Sequence, residues 1–213
     1  MIRPVLAVTM AIMIGASTMA SAQTVTFGDA PMGSLPESFD SWRTGEGGSG
    51  QWRIVADSSA QGGRALAQTS RDKTDYRFPL AIYRPVSPKD VEVTIHFKPA
   101  SCRVDQAGGI AVRLQTPDDY YIARANALED NVRFYKVVKG VRQQIMGANT
   151  KVSSNEWHIL TLRAEGNRFT VAFDGKPLFT ATDETFPQAG NVALWTKADS
   201  VTHFDRVEIQ QIQ

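Results

Sequence analysis

The stretch Val91-Glu92-Val93-Thr94-Ile95-His96-Phe97-Lys98 decides the fold class. Apolar residues hold every second position. Successive side chains of an extended chain point to opposite faces, so this pattern is a half-buried β-strand. Working outward, the same period of two returns in Ile110, Val112 and Leu114, in Val132 and Phe134, in Phe169, Val171 and Phe173, and in Val192 and Leu194. Turn-forming residues separate the runs: Pro99, Gly108-Gly109, Pro117-Asp118-Asp119, Lys139-Gly140, Gly166-Asn167, Asp174-Gly175 and Pro187. Asp174-Gly175 suits a type I′ hairpin, whose two central residues both need positive φ. About a dozen short strands without a helical run predict an all-β protein, a two-sheet antiparallel jelly-roll sandwich. The glycines at 45, 47, 48 and 50 predict a loose surface loop over Thr44–Gly50.

Composition agrees with a single folded unit. The chain has 213 residues, 42% hydrophobic and 21% charged, enough to bury one core and too apolar for general disorder. Its formal net charge of +1, with no basic stripe, argues against a nucleic-acid partner.

The N-terminus reads as an address. Arg3 precedes an apolar run from Val5 to Ile14, too short to span a bilayer, and Ala20-Ser21-Ala22 offers a small-x-small cleavage site. The expected organisation is a signal peptide over residues 1–22 and one β-sandwich domain over residues 23–213. The product is expected to be periplasmic or extracellular, with no membrane attachment after cleavage. Cys102 is the single cysteine, so no internal disulfide is available, and it reads as a small buried residue rather than a nucleophile.

Several segments resemble the concanavalin A-like lectin/glucanase superfamily, in particular its laminin-G-like and 3-keto-disaccharide hydrolase-like domains of bacterial exported proteins. They are Phe39-Asp40, Gly108-Gly109-Ile110-Ala111-Val112-Arg113, Asp119-Tyr120-Tyr121-Ile122-Ala123-Arg124-Ala125-Asn126, Asn131-Val132-Arg133-Phe134-Tyr135, Trp157-His158, Phe173-Asp174-Gly175 and Gly190-Asn191-Val192-Ala193-Leu194-Trp195. The run from Lys197 through Asp205 closes the set, in the family's order. The resemblance implies two curved sheets with a concave face that binds carbohydrate in many relatives. It also brings two rival activities: a glycoside hydrolase of the 3-keto-disaccharide type on the same face, and a laminin-G-like protein-interaction module.

If the apolar half of each strand fills the space between the sheets, the other half faces solvent. That outer set contains Arg113, Arg124, Asn126, Arg133, Tyr135, Trp195 and Lys197. Aromatic rings cover the apolar face of a pyranose, and guanidinium and amide groups bond its hydroxyls, so these residues are the expected sugar contacts, with Trp195 as an exposed platform. For catalysis, the candidates are Glu129 at the sheet rim and His96 as a group titrating near neutral pH. The Glu-x-Asp-x-(x)-Glu string of laminarinase-type relatives is missing. No cofactor is required by any motif. Relatives of this kind often carry a structural Ca²⁺, which Asp205 with Asp40 or Asp29 would hold, although the Asp-x-Asp-x-Asp-Gly loop is missing.

Overall fold

The computed structural model describes residues 22–212, so the expected signal peptide lies outside the described residues apart from Ala22. Among these there are fifteen strands and no helix. The first eight are β1 (Ala22–Thr26), β2 (Phe39–Gly45), β3 (Trp52–Ala56), β4 (Arg64–Gln68), β5 (Arg77–Tyr83), β6 (Val91–Ser101), β7 (Ala107–Thr116) and β8 (Asp119–Asn126). The rest are β9 (Asn131–Val138), β10 (Val141–Asn149), β11 (His158–Glu165), β12 (Arg168–Phe173), β13 (Lys176–Thr182), β14 (Asn191–Thr196) and β15 (Val201–Gln211). They form the expected two-sheet jelly roll. One sheet runs β13-β12-β11-β6-β15-β4-β3, with β1 added beside β15; the other runs β10-β9-β8-β7-β14-β5-β2. All pairings are antiparallel.

The alternation that identified the strands is the alternation of the core. Val91, Val93, Ile95 and Phe97 are fully buried and pack with Ile110, Val112, Tyr121, Phe134, Leu160 and Phe169 between the sheets. Each such side chain contributes roughly 1.5–3 kcal/mol relative to exposure. Asp174 and Gly175 both take positive φ, at 48° and 74°, as a type I′ turn between β12 and β13 requires. Lys139 and Gly140 repeat the device between β9 and β10.

The outer half of the seven-stranded sheet departs from expectation. Phe78, Leu80 and Ile82 of β5, Tyr120 and Ile122 of β8, Tyr135 and Val137 of β9, and Ala193 and Trp195 of β14 form a second buried apolar cluster there. The sheet buries this face by curling. Phe78 and Tyr135 stand four strands apart in the order, about 19 Å in a flat sheet. Yet the Arg142 guanidinium from β10 lies 4.8 Å from the Phe78 ring centroid and 4.5 Å from that of Tyr135. The Thr44 hydroxyl of β2, an edge strand, likewise reaches the Tyr120 hydroxyl of β8 at 2.8 Å, again across four strands. A flat sheet permits neither contact, so the outer face is hollow.

Two further expectations are corrected. The segment after β2 is fastened rather than loose. Arg77 donates to Gly48 O at 2.6 Å and Ser49 O at 2.8 Å, and Gly48 N donates to Asp72 at 2.7 Å. The backbone donors of Gly48 and Thr74 hold the Asp72 carboxyl at a pKa of about 2. Gly45 is required here: its φ is +76°, and a Cβ would stand 2.0 Å from Tyr76 O.

Arg113, assigned to the ligand face by strand parity, points elsewhere. The β7–β8 register shifts between Val112 and Thr116, and Arg113 takes φ 50° there. The bulge turns its side chain to the end of the main core, over the Phe169 ring at 5.3 Å. Its guanidinium donates to Lys89 O, Phe186 O, Gly166 O and Asp90 Oδ1 at 2.6–3.0 Å. One side chain thus ties three loops together. Arg113→Met, which keeps the volume and removes the donors, is expected to lower stability by roughly 3 kcal/mol in urea denaturation. A loss below about 0.5 kcal/mol would refute this anchoring role.

Candidate functional site

Strand register sets the hollow face in rows. Trp195 pairs with Gly109, Gly109 with Arg124 and Arg124 with Arg133, so these four cross the sheet side by side. One step along, Ala107 pairs with Asn126 and Asn126 with Asn131. Ala107, Gly109 and Ala111 carry almost no bulk and form a buried floor beneath the side chains between Arg124 on β8 and Trp195 on β14. At Gly109 even a methyl group would stand 2.6 Å from Ala123 O.

Around this floor the polar groups bond to one another. Arg124 is 4% exposed and donates to Asn131 Oδ1, to Glu129 Oε2 at 2.7 Å and to Tyr135 Oη at 3.1 Å. Burial would raise the Glu129 carboxyl, but the Arg124 charge and the bonds from Asn131 and Arg124 outweigh it and hold the group below its ordinary value. Asn126 donates to Asp105 at 2.5 Å and accepts from Leu128 N at 2.9 Å, which shapes the loop carrying Glu129. Asp105 is placed by Asp199, whose carboxylate accepts backbone N–H groups from Arg103, Val104 and Asp105.

Lys197 bridges Asp105 at 2.7 Å and Asp75 at 2.9 Å. Burial raises the Asp105 carboxyl above its ordinary range despite that ammonium. Asp75 is the solvent-facing partner, its side chain 77% exposed. Next to it, Tyr76 is a partly exposed ring whose hydroxyl accepts the backbone N–H of Arg142 at 2.6 Å. The rim is therefore an exposed aromatic ring and two accessible carboxylates, Glu129 and Asp75, around buried cations.

The structure thus brings together Arg124, Asn126, Glu129, Arg133, Tyr135, Trp195 and Lys197 on one face. Trp195 is not the exposed platform expected of it: it is fully buried, stacked on Phe78 at 5.2 Å, and its indole N–H donates to Tyr120 Oη at 3.3 Å. Asp75, Tyr76, Asp105, Asn131 and Arg142 belong to the same face and were missed. Tyr76 shares parity with Phe78 and Leu80, and Asp105 with Ala107 and Gly109; both lie just outside the apolar runs, where alternation is hardest to read.

His96 is not part of this face. It stands on β6, on the outer side of the eight-stranded sheet, beside Arg206 at 2.8 Å. Burial and then the Arg206 charge hold its pKa down. With the whole sandwich between them, His96 and Glu129 cannot act on one bond. Asp205 and Asp40 are likewise separated, Asp205 on β15 of the eight-stranded sheet and Asp40 on β2 of the other. Asp205 accepts Gln61 N at 3.0 Å, and Asp40 faces Arg84 at 3.7 Å. No group of three or more His, Cys, Asp or Glu side chains that could hold a metal occurs among the described residues. Cys102 is half-buried, and burial pushes its thiol up, away from thiolate chemistry.

Residues 90–212, from just before β6 through β15, match the family described as galactocerebrosidase, C-terminal lectin domain. The chain belongs to that lectin-domain family. No curated protein matches its sequence. Among solved structures it is similar to the carbohydrate-binding module CBM66 from Bacillus subtilis, at 22% identity over 76% of this chain and 92% of that one, with a TM-score of 0.61. It is similar to Bacillus licheniformis β-glucanase at 14% identity, over 92% and 100% of the two chains, with a TM-score of 0.55. The exoplasmic/lumenal domain of VIP36, in a Ca²⁺/Man3GlcNAc-bound form, aligns at 13% identity over 85% and 86%, with a TM-score of 0.56. These neighbours share the sandwich fold of this lectin domain.

Within the lectin domain, the Lys197 bridge carries a testable electrostatic load. Lys197→Met leaves Asp105 buried without its cation, and stability at pH 7 is expected to fall by roughly 3 kcal/mol. Asp105 has a folded pKa above its unfolded value, so protonation favours the folded state. Stability is regained as pH falls through the folded pKa, and the deficit against the native chain should shrink as the pH of urea titrations is lowered from 7. A deficit independent of pH would refute the assignment.

Proposed function

We propose that this is an exported carbohydrate-binding domain whose glycan occupies the hollow face of the seven-stranded sheet, held by Arg124, Asn131, Glu129, Asp75, Lys197 and Tyr76. One observation carries the reading: on this face the donors and carboxylates are already fixed by one another, beside an exposed ring at the rim. Such a site supplies hydrogen bonds to hydroxyls without first having to order its side chains. The lectin family and the carbohydrate-binding neighbours support it, and the signal-like segment at residues 1–22 supports export.

A second reading is hydrolysis at the same face, the 3-keto-disaccharide type of activity. Its accessible carboxyl is Glu129, 43% exposed at the rim beside Arg124, whereas Asp105 is buried against Lys197 and Asn126.

A glycan array followed by calorimetry on the hits separates these. Tyr76→Ala and Arg124→Ala should each weaken binding tenfold or more, and His96→Ala should leave it unchanged. Equal affinity in the first two would overturn the placement. Product analysis of the native chain with each hit tests hydrolysis: turnover lost in Glu129→Gln with binding retained would establish the enzyme.

A further inference from the structure

Two arginines on the hollow face have hydrogen-bonding capacity that the described residues do not use. Arg124 spends both terminal nitrogens on Asn131, Glu129 and Tyr135, but its Nε is buried and has no partner among the described residues. Arg142, with its guanidinium between Phe78 and Tyr135, likewise has a buried Nη1 without a partner among them. Both groups lie against one ring, their guanidinium carbons 5.8 and 4.5 Å from the Tyr135 centroid. Buried donors are almost always paired in folded proteins, so an unpaired couple around one ring marks a place where an acceptor belongs.

The charge on this face narrows the kind of acceptor. Four cations, Arg124, Arg133, Arg142 and Lys197, stand with three carboxylates, Glu129, Asp75 and Asp105. Glu129 is taken by Arg124, and Asp75 and Asp105 by Lys197. Neither Arg133 nor Arg142 forms a salt bridge among the described residues; Arg133 bonds only the carbonyls of Val132 and Ala148 and the side chain of Asn149. Asp75 feels the Arg142 charge without pairing with it. A neutral hydroxyl brings a donor that would have to be placed among N–H groups. An anionic oxygen brings only lone pairs and makes the stronger, charge-assisted bonds.

We propose that the glycan bound here is acidic, and that its carboxylate or sulfate ester docks between Arg124 and Arg142 beside Tyr135; this rests on the carbohydrate-binding reading above. The carboxylate of a uronic acid and a sulfate ester present the same acceptor oxygens to these donors. The neutral part of the sugar then meets the exposed rim of Tyr76, Asp75 and Glu129.

The test uses acidic glycans paired with their own neutral forms: hexuronate oligosaccharides against the carboxyl-reduced oligomers, and sulfated oligosaccharides against the desulfated ones. In calorimetry at low salt, at least one acidic member should bind tenfold or more tightly than its neutral twin, and the margin should shrink as NaCl is raised. Arg142→Gln, at a partly exposed position on the edge strand β10, should remove the margin, and a cooperative melting transition would confirm intact folding. Equal affinity within the pairs, or a margin that survives Arg142→Gln, would overturn the proposal while leaving carbohydrate binding in place. Absence of binding to both members of every pair, by a folded protein, would overturn both.

Discussion

The curl of the seven-stranded sheet is the constraint on which the rest depends. A sheet with one apolar face can lie flat over a core. This one is apolar on both, and the second face has to be removed from water by its own strands. Curling brings β5 towards β9 and β2 towards β8, closing Phe78, Trp195, Tyr120 and Tyr135 around a common interior. The contacts that seal it are polar at their ends: Arg142 between two rings, and the Thr44 hydroxyl between Tyr120 Oη and Pro117 O. Within this interior the Tyr120 hydroxyl has no solvent, and burial pushes its pKa far above the ordinary range. The hollow is a consequence of hydrophobic burial, and the polar row at Asn126 and Asn131 inherits it.

That inheritance explains why the charged groups of the site are so heavily cross-bonded. A buried carboxylate such as Asp105 is tolerated only with a cation and a further donor, and Lys197 and Asn126 supply them. The bonds serve geometry as much as charge. Asp199 gathers three consecutive backbone N–H groups to place Asp105, and Asn126 shapes the loop that presents Glu129. Side chains ordered before a ligand arrives lose little entropy when it does.

The strands were legible because alternation is a local signal, set by residues two apart. Which sheet a strand joins is set by partners far along the chain, and there the sequence was silent. His96 and Glu129 read equally well as outer residues, yet β6 and β8 lie in different sheets, and the same separation divides Asp205 from Asp40. Parity placed Arg124, Asn126, Arg133, Tyr135 and Trp195 on one face correctly. It failed at Arg113, where a bulge adds a residue and inverts the face. Parity also says nothing of exposure: Trp195 faces outward from the main core and is buried all the same, because the sheet bends over it.

The two outer faces can be told apart by how their polar groups are satisfied. On the eight-stranded sheet, Asp57 accepts from Lys98, His203, Ser59 N and Ser59 Oγ. Although burial would raise it, these bonds hold its carboxyl far below the usual carboxylate range. Ser59 in turn accepts the Trp157 indole N–H at 3.0 Å. Where partners fall short on that side, a polar group is nearby: Arg206 Nε faces Glu208 at 3.2 Å, and Asp205 Oδ1 faces the His96 ring at 3.9 Å. That network closes on itself and stiffens the sandwich. On the hollow face the remaining capacity is all of one kind, two cationic N–H groups beside one ring. A protein stabilises itself by pairing what it buries, so donors of one sign left together mark the face that meets something else.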